Sequence, residues 1–213
     1  MTVMKPSFID LSHHNWESNP NLDFRKAKAA AVLGVIYKAT EGATFVDPFL
    51  DKTRAAVKAA GLLWGVYHFA TAAPADQQAT NFLTHAKPDH NSFVALDFEH
   101  NAPNPTNTTT PAITRDLLKR FEKALGRKPK LYTGSFMFDC FGTKPQPDLA
   151  AYQLWWAAYT AQAPKLHPTW SDYWAWQYTD GVNGAGQKSV DGIGACDCDH
   201  FPGDAIDLAT EWA

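Results

Sequence analysis

Two carboxylates, one residue apart at the end of an apolar run, carry the clearest chemical signal. The run Phe93-Val-Ala-Leu-Asp-Phe-Glu reads as a buried strand ending in Asp97 and Glu99. Alternate side chains of a strand point to one face, so these two carboxyls would share a face with Cα atoms about 6–7 Å apart. Acids this close cannot ionise independently, and the one that keeps its proton can act as a general acid. Glycosidic hydrolysis needs such an acid. A solvated strand end is the alternative for an isolated Asp-x-Glu.

Further acids lie in the first and last apolar runs of the chain. Asp10 closes the first run, and the last run, Cys196-Asp-Cys-Asp-His-Phe, contains Asp197. The first and last strands of a closed barrel are neighbours, so we expect Asp10 and Asp197 side by side at its C-terminal rim. They would face Asp97 and Glu99 across the mouth. Asp199 is an alternative for the fourth carboxylate.

The aromatic residues are compatible with a sugar site. Flat rings offer apolar faces to the C–H surfaces of pyranoses, but large aromatic side chains are mostly buried, so we expect only those near the carboxylates to contribute. The candidates on or just after strand-like runs are Tyr67, Tyr132, Trp155, Trp156, Tyr159, Trp174, Trp176 and Tyr178.

Metal, cofactor and serine-nucleophile chemistry have weaker support. His13-His14, Glu99-His100 and Asp199-His200 contain metal-ligand types, but neighbours on a strand point to opposite faces. There is no His-Glu-x-x-His helix, Gly-x-Ser-x-Gly elbow or Gly-rich phosphate loop after the first strand. We therefore expect no metal and no cofactor.

Strand-like and helix-like segments alternate along the first two thirds of the chain. Strands are predicted at 8–11, 34–38, 63–69, 92–99 and 130–133, and helices at 22–31, 47–60, 74–86 and 112–125. Strand-like pieces without clear helices follow at 153–158, 173–178 and 196–201. The pattern predicts an α/β fold with an eight-stranded, TIM-like barrel whose second half is poor in helices; an open doubly wound sheet is the rival.

Composition narrows the architecture and the partners. With 213 residues and 45% hydrophobic content, the chain is expected to form a single domain over 1–213. A net charge of −3 argues against binding nucleic acid or acidic lipid. The first twelve residues have no secretion-signal pattern and no apolar run could span a membrane. The expectation is a monomer.

Eight segments in order resemble the glycoside hydrolase family 25 lysozymes, which include phage endolysins and bacterial autolysins. The segments are Phe8-Ile-Asp-Leu-Ser, Ile36-Tyr-Lys-Ala-Thr-Glu-Gly, Gly65-Val-Tyr-His-Phe, Ala95-Leu-Asp-Phe-Glu, Leu131-Tyr-Thr-Gly, Leu154-Trp-Trp-Ala-Ala-Tyr, Trp176-Gln-Tyr-Thr-Asp-Gly and Cys196-Asp-Cys-Asp-His-Phe-Pro-Gly. Together they cover nearly the whole chain.

The resemblance implies a (β/α)5(β)3 barrel that hydrolyses the β-1,4 bond between N-acetylmuramic acid and N-acetylglucosamine in bacterial peptidoglycan. It implies that Glu99 is the general acid and Asp97 its partner, with Asp10 and Asp197 as supporting acids. The residues implied to line the groove are Lys38, Glu41, Tyr67, Tyr132, Trp155 and Tyr159. Two departures are His13-His14, where small or polar residues are usual, and Asp199, where the family motif Asp-Leu-Asn has asparagine.

Two other functions stay open. One is a chitinase-like glycosidase, although the full Asp-x-x-Asp-x-Asp-x-Glu run of such enzymes is missing before Glu99. The other is a barrel that binds glycan without cutting it. A lysozyme of this kind would act outside the cell on the wall, and without a signal segment we expect a phage-encoded protein released by the host lysis machinery.

Overall fold

Eight strands close into a barrel in the computed structural model, which describes residues 4–213. The last barrel strand pairs with the first, and the order around the barrel is β1 (Phe8–Leu11), β2 (Gly34–Glu41), β4 (Leu63–Phe69), β5 (Phe93–Phe98), β6 (Lys130–Thr133), β7 (Leu154–Ala157), β8 (Ala175–Thr179) and β11 (Asp197–His200). Neighbouring strands from β1 to β8 are parallel, whereas β11 is antiparallel to both of its neighbours. The predicted closed barrel is therefore confirmed, and the open doubly wound sheet is excluded.

The strand and helix bounds follow the predicted order. Three short strands lie outside the barrel, namely β3 (Phe45–Val46), β9 (Ser189–Val190) and β10 (Gly194–Ala195). The helices are α1 (His13–Ser18), α2 (Phe24–Ala29), α3 (Leu50–Ala59), α4 (Ala75–Ala86), α5 (Pro111–Leu125), α6 (Phe136–Phe141) and α7 (Ala205–Glu211). Short 3₁₀ turns occur at Pro105–Asn107 and Leu149–Ala151.

Helices follow β1, β2, β4, β5 and β6, and no α-helix lies between β7, β8 and β11. This is the (β/α)5(β)3 arrangement that the resemblance implied. In the described part of the chain, no helix has both the length and the apolar character to cross a membrane. The single domain expected over 1–213 includes residues 1–3, which lie outside the described residues.

Strict alternation of side chains separates an inner core from an outer one. Phe8, Ala95 and Trp155 belong to a buried cluster inside the barrel, while their neighbours Ile9, Leu96 and Trp156 pack in the layer shared with the helices. Odd-numbered positions of β5 thus point inward, which places Asp97 on the inside. Aromatic side chains make up much of this inner cluster.

The structure departs from the predicted helices in four places. Residues 13–18 form α1 and residues 136–141 form α6, where no helices were predicted. The helix predicted at 22–31 is shorter, since the side chain of Asp23 caps the backbone N–H groups of Arg25 and Lys26, and Ala31 adopts a positive φ of 71° after its end. A terminal helix, α7, follows the last strand, so the second half has more helix than predicted.

Candidate active site

A pocket of about 160 Å³ opens at the end of the barrel where the parallel strands finish. Its lining residues are Asp10, Tyr67, Asp97, Glu99, Tyr132, Trp155, Tyr159, Gln177, Asp180 and Asp197. The four predicted acids are therefore together, with four of the predicted aromatics. This is the end at which barrel enzymes carry their chemistry.

Strand β5 places the central pair of acids. Asp97 is the last inward-pointing residue of β5, and Glu99 follows the strand by one residue on the same face. Asp97 is buried, whereas Glu99 is partly exposed at the pocket surface. Oδ1 of Asp97 has no hydrogen-bond partner among the described residues. A buried acceptor facing a pocket is available to a group that a substrate would bring.

The antiparallel register of β11 places the other acids. Asp10 is paired with Asp197, and Phe8 is paired with Asp199. Asp197 therefore lies beside Asp10 at the mouth, while Asp199 lies two residues deeper, fully buried, and does not line the pocket. There its Oδ1 accepts a hydrogen bond of 2.7 Å from Nε1 of Trp155.

Gln177, which was not among the site residues predicted from the sequence, connects three of the pocket residues. Its Nε2 donates to Oδ2 of Asp10 over 2.7 Å. Its Oε1 accepts from the hydroxyls of Tyr132, at 2.8 Å, and Tyr159, at 2.9 Å. The one available signal was its place between Trp176 and Tyr178, because strand alternation turns Gln177 inward when those two rings pack outward. Asp180, which also lines the pocket, was missed because it follows β8 in a turn.

Burial raises the pKa of both central acids. The pKa of Asp97 is raised well above its ordinary value by burial and then by the charge of Glu99, with Lys38 opposing the rise. Burial raises the pKa of Glu99 to about 7, again opposed by Lys38. A partly exposed carboxyl that holds its proton up to neutral pH can protonate a leaving group, so Glu99 meets the requirement for a general acid.

The acids of β1 and β11 are also perturbed. Burial and the charge of Asp199 raise the pKa of Asp10, and burial and the charge of Asp10 raise that of Asp197. The pKa of Asp199 is raised by burial, although the Trp155 hydrogen bond opposes this. The charge on each of these acids thus disfavours the ionisation of a neighbouring one. Crowded buried acids of this kind share protons rather than ionise together.

Lys38 and Glu41, predicted to line the groove, lie beside the pocket and not in its lining. They form an ion pair with each other on β2, and Nζ of Lys38 lies 4.7 Å from the centroid of the Phe69 ring. A register shift between Lys38 and Thr40 interrupts the β2–β4 ladder at this point. Lys38 still acts on the site through its charge, which favours the ionised forms of Asp97 and Glu99.

The remaining predicted aromatics divide between other places. Trp156 lines a neighbouring cavity of about 570 Å³, which shares Glu99 and Tyr159 with the central pocket. The two cavities therefore form one groove with Glu99 at their junction. Trp174 packs at the opposite end of the barrel, and Trp176 and Tyr178 belong to the outer core.

The histidines that follow β1 do not lie on a strand. His13 and His14 are the first two residues of α1, so the argument that strand neighbours point to opposite faces does not apply to them. His100, exposed, lines the neighbouring cavity, and His200 is half-buried on β11.

Both a family model and solved structures match this chain over most of its length. The model of the family described as "Glycosyl hydrolases family 25" matches residues 9–187. A bacterial lysozyme of known structure from Streptomyces coelicolor superposes with a TM-score of 0.79 at 25% sequence identity, covering 96% of this chain and 95% of that one.

Two curated relatives are similar over much of the sequence. Lysozyme M1 of Streptomyces globisporus is 27% identical over 192 residues, which is 83% of this chain and 63% of that protein. The protein YegX of Escherichia coli O157:H7 is 30% identical over 161 residues, which is 70% of this chain and 55% of YegX. The chain thus spans little more than half the length of this relative.

Proposed function

The chain belongs to glycosyl hydrolase family 25, and on that premise we propose that it is a lysozyme. Its substrate is bacterial peptidoglycan, in which it hydrolyses the β-1,4 bond between N-acetylmuramic acid and N-acetylglucosamine. The observation that carries the proposal is the junction acid Glu99, whose pKa is raised to about 7 beside Asp97 in an acid-lined pocket. The site of action is the cell wall, outside the cytoplasmic membrane.

Each pocket acid has a proposed role. Glu99 protonates the glycosidic oxygen as the bond breaks, and Asp97 orients the substrate's 2-acetamido group, whose carbonyl oxygen attacks the anomeric carbon. The orphaned Oδ1 of Asp97 supports this role, because it can accept the acetamido N–H. Asp10 and Asp197 support the opposite wall of the pocket, while Tyr67, Tyr132, Trp155 and Tyr159 provide ring faces and hydroxyls for the sugar.

A digest of purified peptidoglycan, run beside one of chitin, tests the function. Borohydride reduction of the products should yield muramitol, which places muramic acid at the new reducing ends. Glucosaminitol, or release of sugars from chitin alone, would contradict the proposal. The rate should fall as pH rises through about 7, because Glu99 loses the proton that it donates.

Two further comparisons test the roles. Glu99→Gln should lower the lysis rate by about 10²- to 10⁴-fold without unfolding the protein, while Glu211→Gln, at an exposed residue of α7, serves as the matched control. Chemically de-N-acetylated peptidoglycan should resist the enzyme if the acetamido group participates. Rapid cleavage of that substrate would instead favour a water activated by Asp10 or Asp197 from the opposite face.

A further inference from the structure

Three potential metal ligands meet on α1, which begins two residues after β1 at the mouth of the barrel. His13, His14 and Glu17 each offer one ligand atom, and these atoms lie within 4.8 Å of one another. Helical spacing brings Glu17 beneath both histidines, since residues three and four apart share a face. The two imidazole rings lie with their centroids 4.0 Å apart. This cluster is separate from the acids of the pocket.

A buried carboxylate orients the first of these histidines. Nδ1 of His13 lies 3.1 Å from Oδ2 of Asp47, which also accepts from the backbone N–H of His13 at 2.9 Å. Oδ1 of Asp47 accepts from the hydroxyl of Tyr37 and from the backbone N–H of Phe49. Since Asp47 only accepts in these contacts, Nδ1 of His13 carries the proton and Nε2 keeps a free lone pair.

This contact reproduces the carboxylate–histidine pairing found behind metal-ligating histidines, where the carboxylate fixes the tautomer and raises the basicity of the ligand. Asp47 is 2% exposed, so its position is set by the core and not by solvent. A surface ion pair would account for His14 and Glu17 alone, but it gives no reason for the anchored His13.

The other two ligands are free to adjust. The side chain of His14 is 75% exposed and that of Glu17 is 60% exposed, with Nδ1 of His14 3.2 Å from Oε2 of Glu17. A tetrahedral zinc ion with bonds of about 2.0–2.2 Å needs its ligand atoms roughly 3.3–3.6 Å apart. Rotation of these exposed side chains closes the remaining gap.

We propose that His13, His14 and Glu17 bind a divalent transition-metal ion of the zinc class, with Asp47 as the residue that positions His13. Two imidazoles and a carboxylate are ligands that Zn²⁺ takes, and water would occupy the fourth position. The site is distinct from the acid-lined pocket, because none of these three ligands lines it.

Calorimetric titration of chelator-stripped, tag-free protein with ZnCl₂ at pH 7.5 tests the site. One ion should bind per chain and raise the unfolding temperature. His14→Ala should weaken binding at least ~10-fold, and Asp47→Asn by about 10- to 100-fold, as expected for removal of an orienting charge. The exposed His90 provides the matched control, and His90→Ala should leave binding unchanged.

Two outcomes would overturn the proposal. One is the absence of saturable zinc binding by the parent protein. The other is a zinc affinity in both the His14→Ala and the Glu17→Gln variants that equals that of the parent protein. Both of these side chains are exposed, so these variants should fold even if Asp47→Asn does not. Because the readout is binding and not lysis, the result is independent of the proposed hydrolase function.

Discussion

Asp199 and Glu99 are two acids whose pKa values are raised by burial, but they lie in different surroundings. Asp199 lies below the pocket against Trp155 and Asp10, while Glu99 lies at the junction of the two cavities. Burial raises the pKa of both. An acid whose pKa is higher in the folded state binds its proton more tightly when folded. Folding is therefore favoured at pH values below the unfolded pKa, and stability declines as pH rises above it.

Asp199→Asn should stabilise the protein at pH 8 and leave its stability unchanged at pH 4. The amide oxygen of asparagine can still accept from Nε1 of Trp155. The substitution removes a carboxyl that ionises above its ordinary pKa of 3.8 in the unfolded chain but resists ionisation in the folded protein. Thermal unfolding at the two pH values measures this, with a rise of ~2–4 °C for each kcal/mol gained.

Glu99→Gln is the matched comparison for this stability test, because it should stabilise the protein at pH 8 for the same reason while lowering the lysis rate by about 10²- to 10⁴-fold. Asp199→Asn should retain lysis, since Asp199 does not line the pocket. An unfolding temperature of Asp199→Asn that rose equally at both pH values would contradict the titration argument.

Gln177→Glu should lower lysis by about 10- to 100-fold, the effect of losing a hydrogen bond to a charged group worth ~1.5–3 kcal/mol. The variant keeps the acceptor for Tyr132 and Tyr159 but loses the amide that donates to Asp10, and it adds a carboxyl beside that acid. Initial rates at pH 5 and pH 7 should show the larger loss at pH 7, where the new carboxyl is more ionised.

Gln153→Glu is the matched control for this substitution, because Gln153 is exposed just before β7. Equal lysis rates for Gln177→Glu and the parent protein would contradict the inference that Gln177 positions Asp10 for catalysis.

At the scale of elements, the direction of β11 decides which acids reach the pocket. In an antiparallel strand the first residue lies at the mouth, so Asp197 is paired with Asp10 while Asp199 lies deeper. Cys196 and Cys198 alternate with these two acids along the chain and point to the outer core, where both are buried as free thiols. A shift of the β11 register by one residue would turn the acids outward and the cysteines inward. Packing of the cysteines in the outer core disfavours such a shift.

Gly65→Ala should destabilise the barrel by about 1–3 kcal/mol through overpacking. A Cβ at this position of β4 would lie 2.8 Å from Cβ of Phe93 and 3.0 Å from Cγ1 of Ile36. Urea unfolding monitored by tryptophan fluorescence measures the change.

Gly126→Asn provides the comparison for Gly65→Ala. Gly126 has a φ of +69° and open space around it, and asparagine tolerates this helix-terminal conformation, so its cost should be small. A loss of stability at Gly126 as large as that at Gly65 would contradict the packing explanation.

At the scale of the whole molecule, the end of the barrel opposite the pocket is filled by a side chain that follows the last barrel strand. Trp212 follows α7 and fills the end opposite the pocket, where its ring packs against Phe8 and Phe93 with centroids 5.5 and 5.2 Å away. Its Nε1 donates to the carbonyl of Trp64 at 2.8 Å. Residues that are distant along the sequence therefore meet in one inner core.

Trp212→Ala should cost about 3–5 kcal/mol of stability, the usual range for removing a buried tryptophan side chain. Below its lowered unfolding temperature the variant should still lyse walls, because the ring lies at the other end of the barrel from Glu99. Ile206→Ala, at a residue of α7 that is 76% exposed, is the control and should be nearly neutral. Lost lysis in a fully folded Trp212→Ala protein would contradict this separation of stability from chemistry.

The local pattern of the sequence was sufficient to predict the barrel, the absence of helices between its last three strands, and the meeting of Asp10, Asp97, Glu99 and Asp197. Alternation within a strand places Asp97 and Glu99 on one face, and closure makes the first and last strands neighbours. Only the tertiary structure decided that β11 runs antiparallel, that Asp199 lies below the pocket, that Gln177 joins Asp10 to two tyrosines, and that Asp47 orients His13 from 34 residues away. These are contacts between residues distant along the chain, and strand direction and register set them, whereas hydrophobic periodicity reports only which face of an element is buried.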